Sequence, residues 1–320
     1  MPARVRQRLA HGWPERDGRA TFKLQWLVLE RIRHVRQIDE SAIKRYSDVR
    51  FRSEYDYALF EYYRSAKVIA YLERAGVPIA GRVLDAGCGG GGMPASLAEE
   101  ARAVTAIDLT PRFRGAGTRL AAERGVRNLS FTVANGLWLP FRDASFDLVL
   151  SHAVIEHVAD APRYLRECRR VLEPGGRMYL STSPYLSFAG AHLPRLKVPV
   201  PLHLLLGRRA AFATFRRLAR HAAWSLREPD NENSFIKAAK RNAVKDDDLL
   251  EKVRIQRLRT LILDAGFEIL RETLHQTRTF RSLPGPVARW LRDSPLTQDI
   301  VVGAVEYVMR VDETGPGPAR

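Results

Sequence analysis

The chain has 320 residues, 45% of them hydrophobic and 9% aromatic, which allows one sizeable core with appendages or at most two domains. Two cysteines, Cys88 and Cys168, lack paired spacing, which argues against a disulfide framework and a cysteine-based metal site; no His/Asp cluster has metal-ligand spacing either, so no metal is expected. The formal charge of +16 predicts attraction to something anionic (nucleic acid, anionic lipid or a phosphorylated substrate) unless the arginines are simply solvated.

Residues 1–20 mix Arg, Gly, Pro and Asp and read as a basic arm. The apolar run Trp26 to Leu29 is too short for a signal peptide or a membrane span, so a cytoplasmic protein is expected, at most attached to the cytoplasmic membrane face. Residues 21–80 form a predicted helical cap. Its helices span Thr21 to Arg36 and about Tyr55 to Ala75, the second ending at Gly76. Tyr55, Tyr57, Tyr62 and Tyr63 either close over a ligand or pack the cap.

Residues 81–182 alternate between short apolar runs and helical stretches. The strands are Arg82 to Ala86, Ala103 to Ile107, Leu129 to Val133, Phe146 to Ser151 and Arg177 to Thr182. The helices between them are Pro94 to Arg102, a stretch opening at Thr110-Pro111 and running to Arg124, and Ala161 to Leu172. Continuous apolar strands separated by helices mark a parallel sheet covered on both faces. Residues 183–249 break the pattern with prolines at 184, 194, 199 and 201 and the apolar run Val198 to Gly207. Between His192 and Arg227 there are eight Lys or Arg and no acid. The alternation resumes over 250–310: a helix from Leu250 to Ala265, a strand from Phe267 to Thr273, a connection holding Arg289 to Arg292, and a strand from Ile300 to Met309. Residues 311–320 read as a tail.

The first strand ends Val83-Leu84-Asp85-Ala86 and breaks into Gly87-Cys88-Gly89-Gly90-Gly91-Gly92, where missing Cβ atoms let a ligand lie on the main chain. Neither Gly-Lys-Ser nor Gly-Lys-Thr follows, so this is not a nucleotide-phosphate loop. A carboxylate at the strand end would repel a pyrophosphate and suit an ammonium group, which points to S-adenosyl-L-methionine. The loop resembles that of the class I S-adenosylmethionine-dependent methyltransferases, in the branch reading Val-Leu-Asp-x-Gly-Cys-Gly. Asn135-Gly136-Leu137-Trp138-Leu139-Pro140-Phe141 and then Ser145-Phe146-Asp147 resemble the same branch's Leu-Pro-Phe and Ser-Phe-Asp segments. The resemblance implies a Rossmann-like α/β fold whose seventh strand inserts antiparallel between the fifth and sixth.

It also implies roles. Asp85 anchors the methionyl ammonium while Gly87, Cys88, Gly89 and Gly91 approach the cofactor. Asp108, 23 positions on, accepts from the ribose hydroxyls with Leu109 beside it. Asn135 and Gly136 meet the adenine, with an amide where the family has an aspartate, and Ser151 sits at the rim of the fourth strand. His152 is the predicted general base for a hydroxyl acceptor, with His192 and His203 as reserves. Glu156 and His157 are read as holding the rim.

Ser151-His152-Ala153-Val154 stands where amino-group DNA methyltransferases carry Asn/Asp-Pro-Pro-aromatic, so nucleic acid is a disfavoured acceptor. Pieces of the insertion, Ser183-Pro184-Tyr185 among them, resemble methyltransferases of bacterial glycan and glycolipid assembly. The expected reaction is O-methylation of a sugar, glycolipid or other small-molecule hydroxyl. A lipid-like or aromatic natural product is the alternative, and a non-catalytic cofactor-binding or nucleic-acid-binding protein the further one. Residues 183–227 are expected to form an acceptor lid with peripheral contact to anionic membrane.

Overall fold

A computed structural model describes residues 38–50, 52–187, 190, 203–207, 209–210, 213 and 252–311. The predicted arm, the helix Thr21 to Arg36, most of the insertion with His192 and the Asp246–Asp248 run, and residues 312–320 lie outside them.

Helix α1 (Glu40–Val49) was not expected from the sequence; it is capped by Asp39, whose carboxylate accepts from Ala42 N. Helix α2 (Glu54–Arg74) starts at Ser53, whose hydroxyl accepts from Asp56 N. Then come β1 (Arg82–Ala86), α3 (Gly92–Leu97), β2 (Ala103–Asp108), α4 (Ala116–Glu123), β3 (Leu129–Val133), β4 (Phe146–His152), α5 (Ala161–Val171) and β5 (Leu172–Thr182). After the insertion follow α6 (Ile255–Asp264), β6 (Phe267–Gln276), α7 (Arg278–Arg281), α8 (Gly285–Asp293), α9 (Gln298–Val301) and β7 (Val302–Val311).

The seven strands form one sheet in the order β3-β2-β1-β4-β5-β7-β6. Strands β1 to β5 pair in parallel, and β7 lies antiparallel between β5 and β6, the arrangement expected above.

Successive residues of a strand face opposite sides, and here both sides are buried. Leu84, Val149, Leu180 and Tyr307 pack with Tyr164, Leu165 and Cys168 of α5 and Leu258 and Ile262 of α6. Val83, Leu148, Leu150, Tyr179 and Val308 pack on the other face with Val68, Ile69 and Leu72 of α2 and Met93 and Leu97 of α3. The C-terminal half of α2 is thus part of the sheet's covering layer as well as of a cap.

Three local expectations change. Thr110 does not cap a helix: its N–H and hydroxyl both donate to Asp108 Oδ1, at 2.9 and 3.0 Å, and a short 3-10 turn at Arg112–Arg114 precedes α4. Pro174-Gly175-Gly176, which separates the predicted helix Ala161 to Leu172 from the predicted strand Arg177 to Thr182, falls inside β5, beside a register shift between Phe146 and Leu148. The connection holding Arg289 to Arg292 is helical, with Pro286 in the first turn of α8.

Candidate cofactor and acceptor site

The glycine loop leaves β1 at the C-terminal edge of the sheet. Gly87 N and Cys88 N both donate to Ile107 O at 2.8 Å, which ties the loop to β2. Gly87 has φ +109°, and a Cβ there would run into the Val154 side chain, so only glycine fits. Gly89 N donates to Asp108 Oδ2 at 2.9 Å, which fixes the carboxylate that ends β2 beside the loop, with Leu109 exposed next to it. Gly91 is the left-handed residue before α3, pressed against Gly117 and Phe131. The Cys88 side chain packs with Ala106 and Phe113, so this residue offers the cleft only its main chain; burial raises its thiol pKa.

Asp85 is 2% exposed, and its Oδ2 is buried without a hydrogen-bond partner. Burial, reinforced by the nearby carboxylates Glu61 and Asp108, pushes its pKa up to about 8. Glu61 is a site residue the sequence reading missed. It projects from α2 toward the loop, where a Cβ on Gly89 or Gly90 would stand 3.9 Å from its Oε2. Burial raises its pKa too, against the opposing pull of Arg64, 3.6 Å from Oε1, and of Arg112. Tyr57, one turn earlier, lies against Gly90, and Glu61 is the main cause holding its phenol up at about 12.

The other tyrosines of α2 turn away from the loop. Tyr55 donates to Glu123 and Tyr62 to Glu99, while Tyr63 stacks on Tyr46 with ring centroids 5.3 Å apart.

At the adenine end expected above, Asn135 Oδ1 accepts from Leu137 N at 2.9 Å, leaving one lone pair of the oxygen and the amide NH₂. Gly136 lies against the Tyr164 ring. Ser151 is fully buried; its hydroxyl accepts from Tyr164 OH at 2.8 Å, and that phenol also reaches Ala86 O at 3.1 Å. The Ser151 side chain therefore braces the loop from beneath and does not face the cleft.

His152 ends β4 with Nδ1 2.9 Å from Ser181 Oγ and its ring stacked on Tyr179. Desolvation, with the positive charge of Arg64, pushes its pKa down to about 3. For the general base predicted here, the consequence is that the imidazole is neutral at neutral pH but weakly basic. Glu156 accepts from Thr182 Oγ1 at 2.8 Å, joining the rim turn to the end of β5, whereas His157 is exposed. His203 is buried, its Nε2 2.8 Å from Tyr185 O and its ring edge-on to Tyr185. That places it in the packing that follows β5; His192 lies outside the described residues.

The donor set suits a ligand with a cationic amino-acid end. An orphaned buried carboxylate oxygen, a second, partly buried carboxylate and a side-chain-free loop converge, and Glu61 helps to raise the pKa of Asp85. Among the described residues no group of three or more His, Cys, Asp or Glu could hold a metal ion, and no helix is long and apolar enough to cross a membrane.

Residues 84–180 match the family model described as Methyltransferase domain. An ubiquinone biosynthesis O-methyltransferase of Xanthomonas axonopodis pv. citri is 40% identical over 116 residues, 36% of this chain and 46% of that protein. The protein of the same name from Caulobacter vibrioides is 41% identical over 101 residues, 31% of this chain and 40% of its own length. The chain thus spans less than half the length of these curated relatives. A solved S-adenosylmethionine-dependent methyltransferase from Mesorhizobium loti aligns over 74% of this chain and 94% of its own, with 20% identity and a TM-score of 0.47. Residues 84–180, about a third of the chain, thus match a methyltransferase domain.

Proposed function

We propose that this protein transfers a methyl group from S-adenosyl-L-methionine to a hydroxyl of a small molecule that is lipid-like or aromatic. The observation that carries the cofactor reading is the orphaned, buried Asp85 carboxylate at the end of β1, beside Glu61 and a loop stripped of side chains. Asp85 and Glu61 would hold the ammonium end, Asp108 the ribose, and Asn135 the adenine. When bound, the cofactor supplies an electrophilic methyl on a sulfonium.

This chain's own contribution is binding, orientation and a neutral imidazole at the acceptor rim. Proton transfer works best when donor and acceptor pKa values are matched. With its pKa held down at about 3, His152 is a poor base for a sugar hydroxyl and serves better to orient a more acidic, phenol-type hydroxyl, which ionises near pH 10. The names of the relatives, ubiquinone biosynthesis O-methyltransferases, agree with an aromatic acceptor and give no support to the sugar or glycolipid expected from the insertion. The membrane contact assigned to residues 183–227 falls largely outside the described residues and forms no part of this reading, nor does a nucleic-acid acceptor.

The test pairs calorimetric titration of cofactor and demethylated product with transfer of labelled methyl to phenolic, polyprenylated and sugar acceptors. No cofactor binding by folded protein refutes the reading at its root. Transfer to sugars but not to phenols reverses the acceptor class.

A further inference from the structure

Helix α8 has an apolar face wider than the seat beneath it. Ala288 is buried, Leu291 packs onto the cluster of Ile255, Val301 and Val302, and Gln276 Nε2 donates to Ala288 O at 2.6 Å. These contacts hold one half of the face. The other half points outward: Val287 is 46% exposed and Trp290 66%, with Leu283 at 38% one turn before and Leu296 at 88% just beyond. Among the described residues nothing covers this stripe.

Its surroundings are basic. Residues 281–293 contain Arg281, Arg289 and Arg292 against one acid, Asp293, which pairs with Arg292 at 2.7 Å. Both β5 and β6 run antiparallel to β7, so the two strands point the same way. The segment that follows β6 therefore stands at the same edge of the sheet as the glycine loop.

We propose that the Leu283–Leu296 face is a docking surface for an anionic lipid bilayer. An amphipathic helix with exposed Val and Trp beside arginines matches an interface that is apolar below and negatively charged above. Charge argues against two other occupants. A symmetric contact with a second copy would set Arg281 and Arg289 near their own images. Residues 1–37 carry nine Lys or Arg against three Asp or Glu and would be repelled in the same way. Docking here would leave the cofactor edge of the sheet close to the membrane. The surface is separate from the cofactor cleft, so the inference stands whether or not the acceptor is lipophilic.

The test uses the full chain with vesicles of phosphatidylcholine alone or with 30% phosphatidylglycerol, sedimented at low and high salt. The variants are Val287→Ser with Trp290→Ser and Arg281→Gln with Arg289→Gln, all at exposed positions, each checked for cofactor affinity and solution mass. Wild type should partition onto the anionic vesicles and be released by salt. Each near-surface arginine is worth about fivefold, so the arginine pair should lose about 25-fold in partition. The apolar pair should lose at least about tenfold, with cofactor affinity unchanged. Absence of vesicle binding by wild type, or wild-type partition by the apolar pair, overturns the proposal. So does a fall in solution mass in the apolar pair, which would make the face a self-contact. Cofactor titration is read separately, so its failure bears on the methyltransferase reading and not on this face.

Discussion

Replacing Asp85 with Asn should stabilise the cofactor-free protein and weaken its hold on the cofactor. The carboxyl is pushed from 3.8 up to about 8 in the fold. A group whose folded pKa is raised contributes fully below its unfolded pKa, and that contribution is lost as pH climbs through the folded one. The native state therefore loses ground between about pH 4 and pH 8. At pH 7 the gap of roughly three units, at about 1.36 kcal/mol each, gives an upper bound of about 4 kcal/mol. Relaxation around the buried site brings this to about 2 kcal/mol. Asparagine keeps the shape and the unsatisfied polarity of the protonated acid but cannot ionise. At about 2–4 °C per kcal/mol for a domain of this size, Asp85→Asn should melt about 4–8 °C higher at pH 7. The advantage should shrink toward pH 5 and level off above pH 8. Loss of a charge-assisted contact of about 1.5–3 kcal/mol should weaken the cofactor about 10- to 150-fold. Thermal melts across pH, paired with calorimetry, check both signs. A variant that melts lower than wild type at pH 8, or binds the cofactor equally well, refutes the reasoning.

The same linkage predicts that cofactor binding at pH 7 releases up to one proton, because Asp85 is protonated when free and ionised beside an ammonium; titration in buffers of different ionisation enthalpy counts it. Glu61→Gln should weaken S-adenosylmethionine and its demethylated product alike, by about tenfold or more, because the ammonium end this carboxylate would hold is common to both; calorimetric titration of each checks it. For His152, held down at about 3, the neutral form persists across the working range, so turnover between pH 6 and 8 should show no histidine inflection. An inflection near pH 6.5 that disappears in His152→Ala would overturn the burial argument. Its depressed pKa also means that stability falls from pH 6.5 toward pH 3, a slope His152→Ala should flatten in acid melts. Gly87→Ala should destabilise the fold by about 2 kcal/mol or more, through both its φ of +109° and the Val154 clash; adding Val154→Ala should restore only part of this, read as denaturant midpoints.

The sheet was legible because each strand is an apolar run closed by a carboxylate, a glycine or a polar turn, a local pattern that survives into the fold. Asp85 and Asp108 were legible for the same reason: strand ends can be counted. Glu61 was not. On an amphipathic helix a glutamate three positions before an arginine reads as a solvated pair, and only the approach of α2 to the glycine loop buries it. The low pKa of His152 was equally hidden, since it depends on burial and on Arg64, contributed by α2 from far along the chain. Tyr57 and Tyr63 look alike in sequence; the tilt of α2 against α3 and α4 decides that one meets the loop and the other Tyr46. Helix α8 was masked by its own Pro-Gly-Pro lead-in, which reads as a turn until the buried Ala288 shows where the helix is seated.

The placement of β7 has a consequence for biosynthesis. This strand is the last of the seven to leave the ribosome, yet among the described residues it is the only partner of β6, and it covers the open flank of β5. Until Val302–Val311 is available, β1 to β5 can assemble on the nascent chain with a bare edge, while β6 waits unpaired. Such an edge is an adhesive surface for other incomplete chains. The final step must also be non-local, because β7 joins a strand more than a hundred residues upstream. Overproduction at lower temperature, or with holdase chaperones that shield the β5 flank, should accordingly raise the yield of folded protein more than any change at the mature surface.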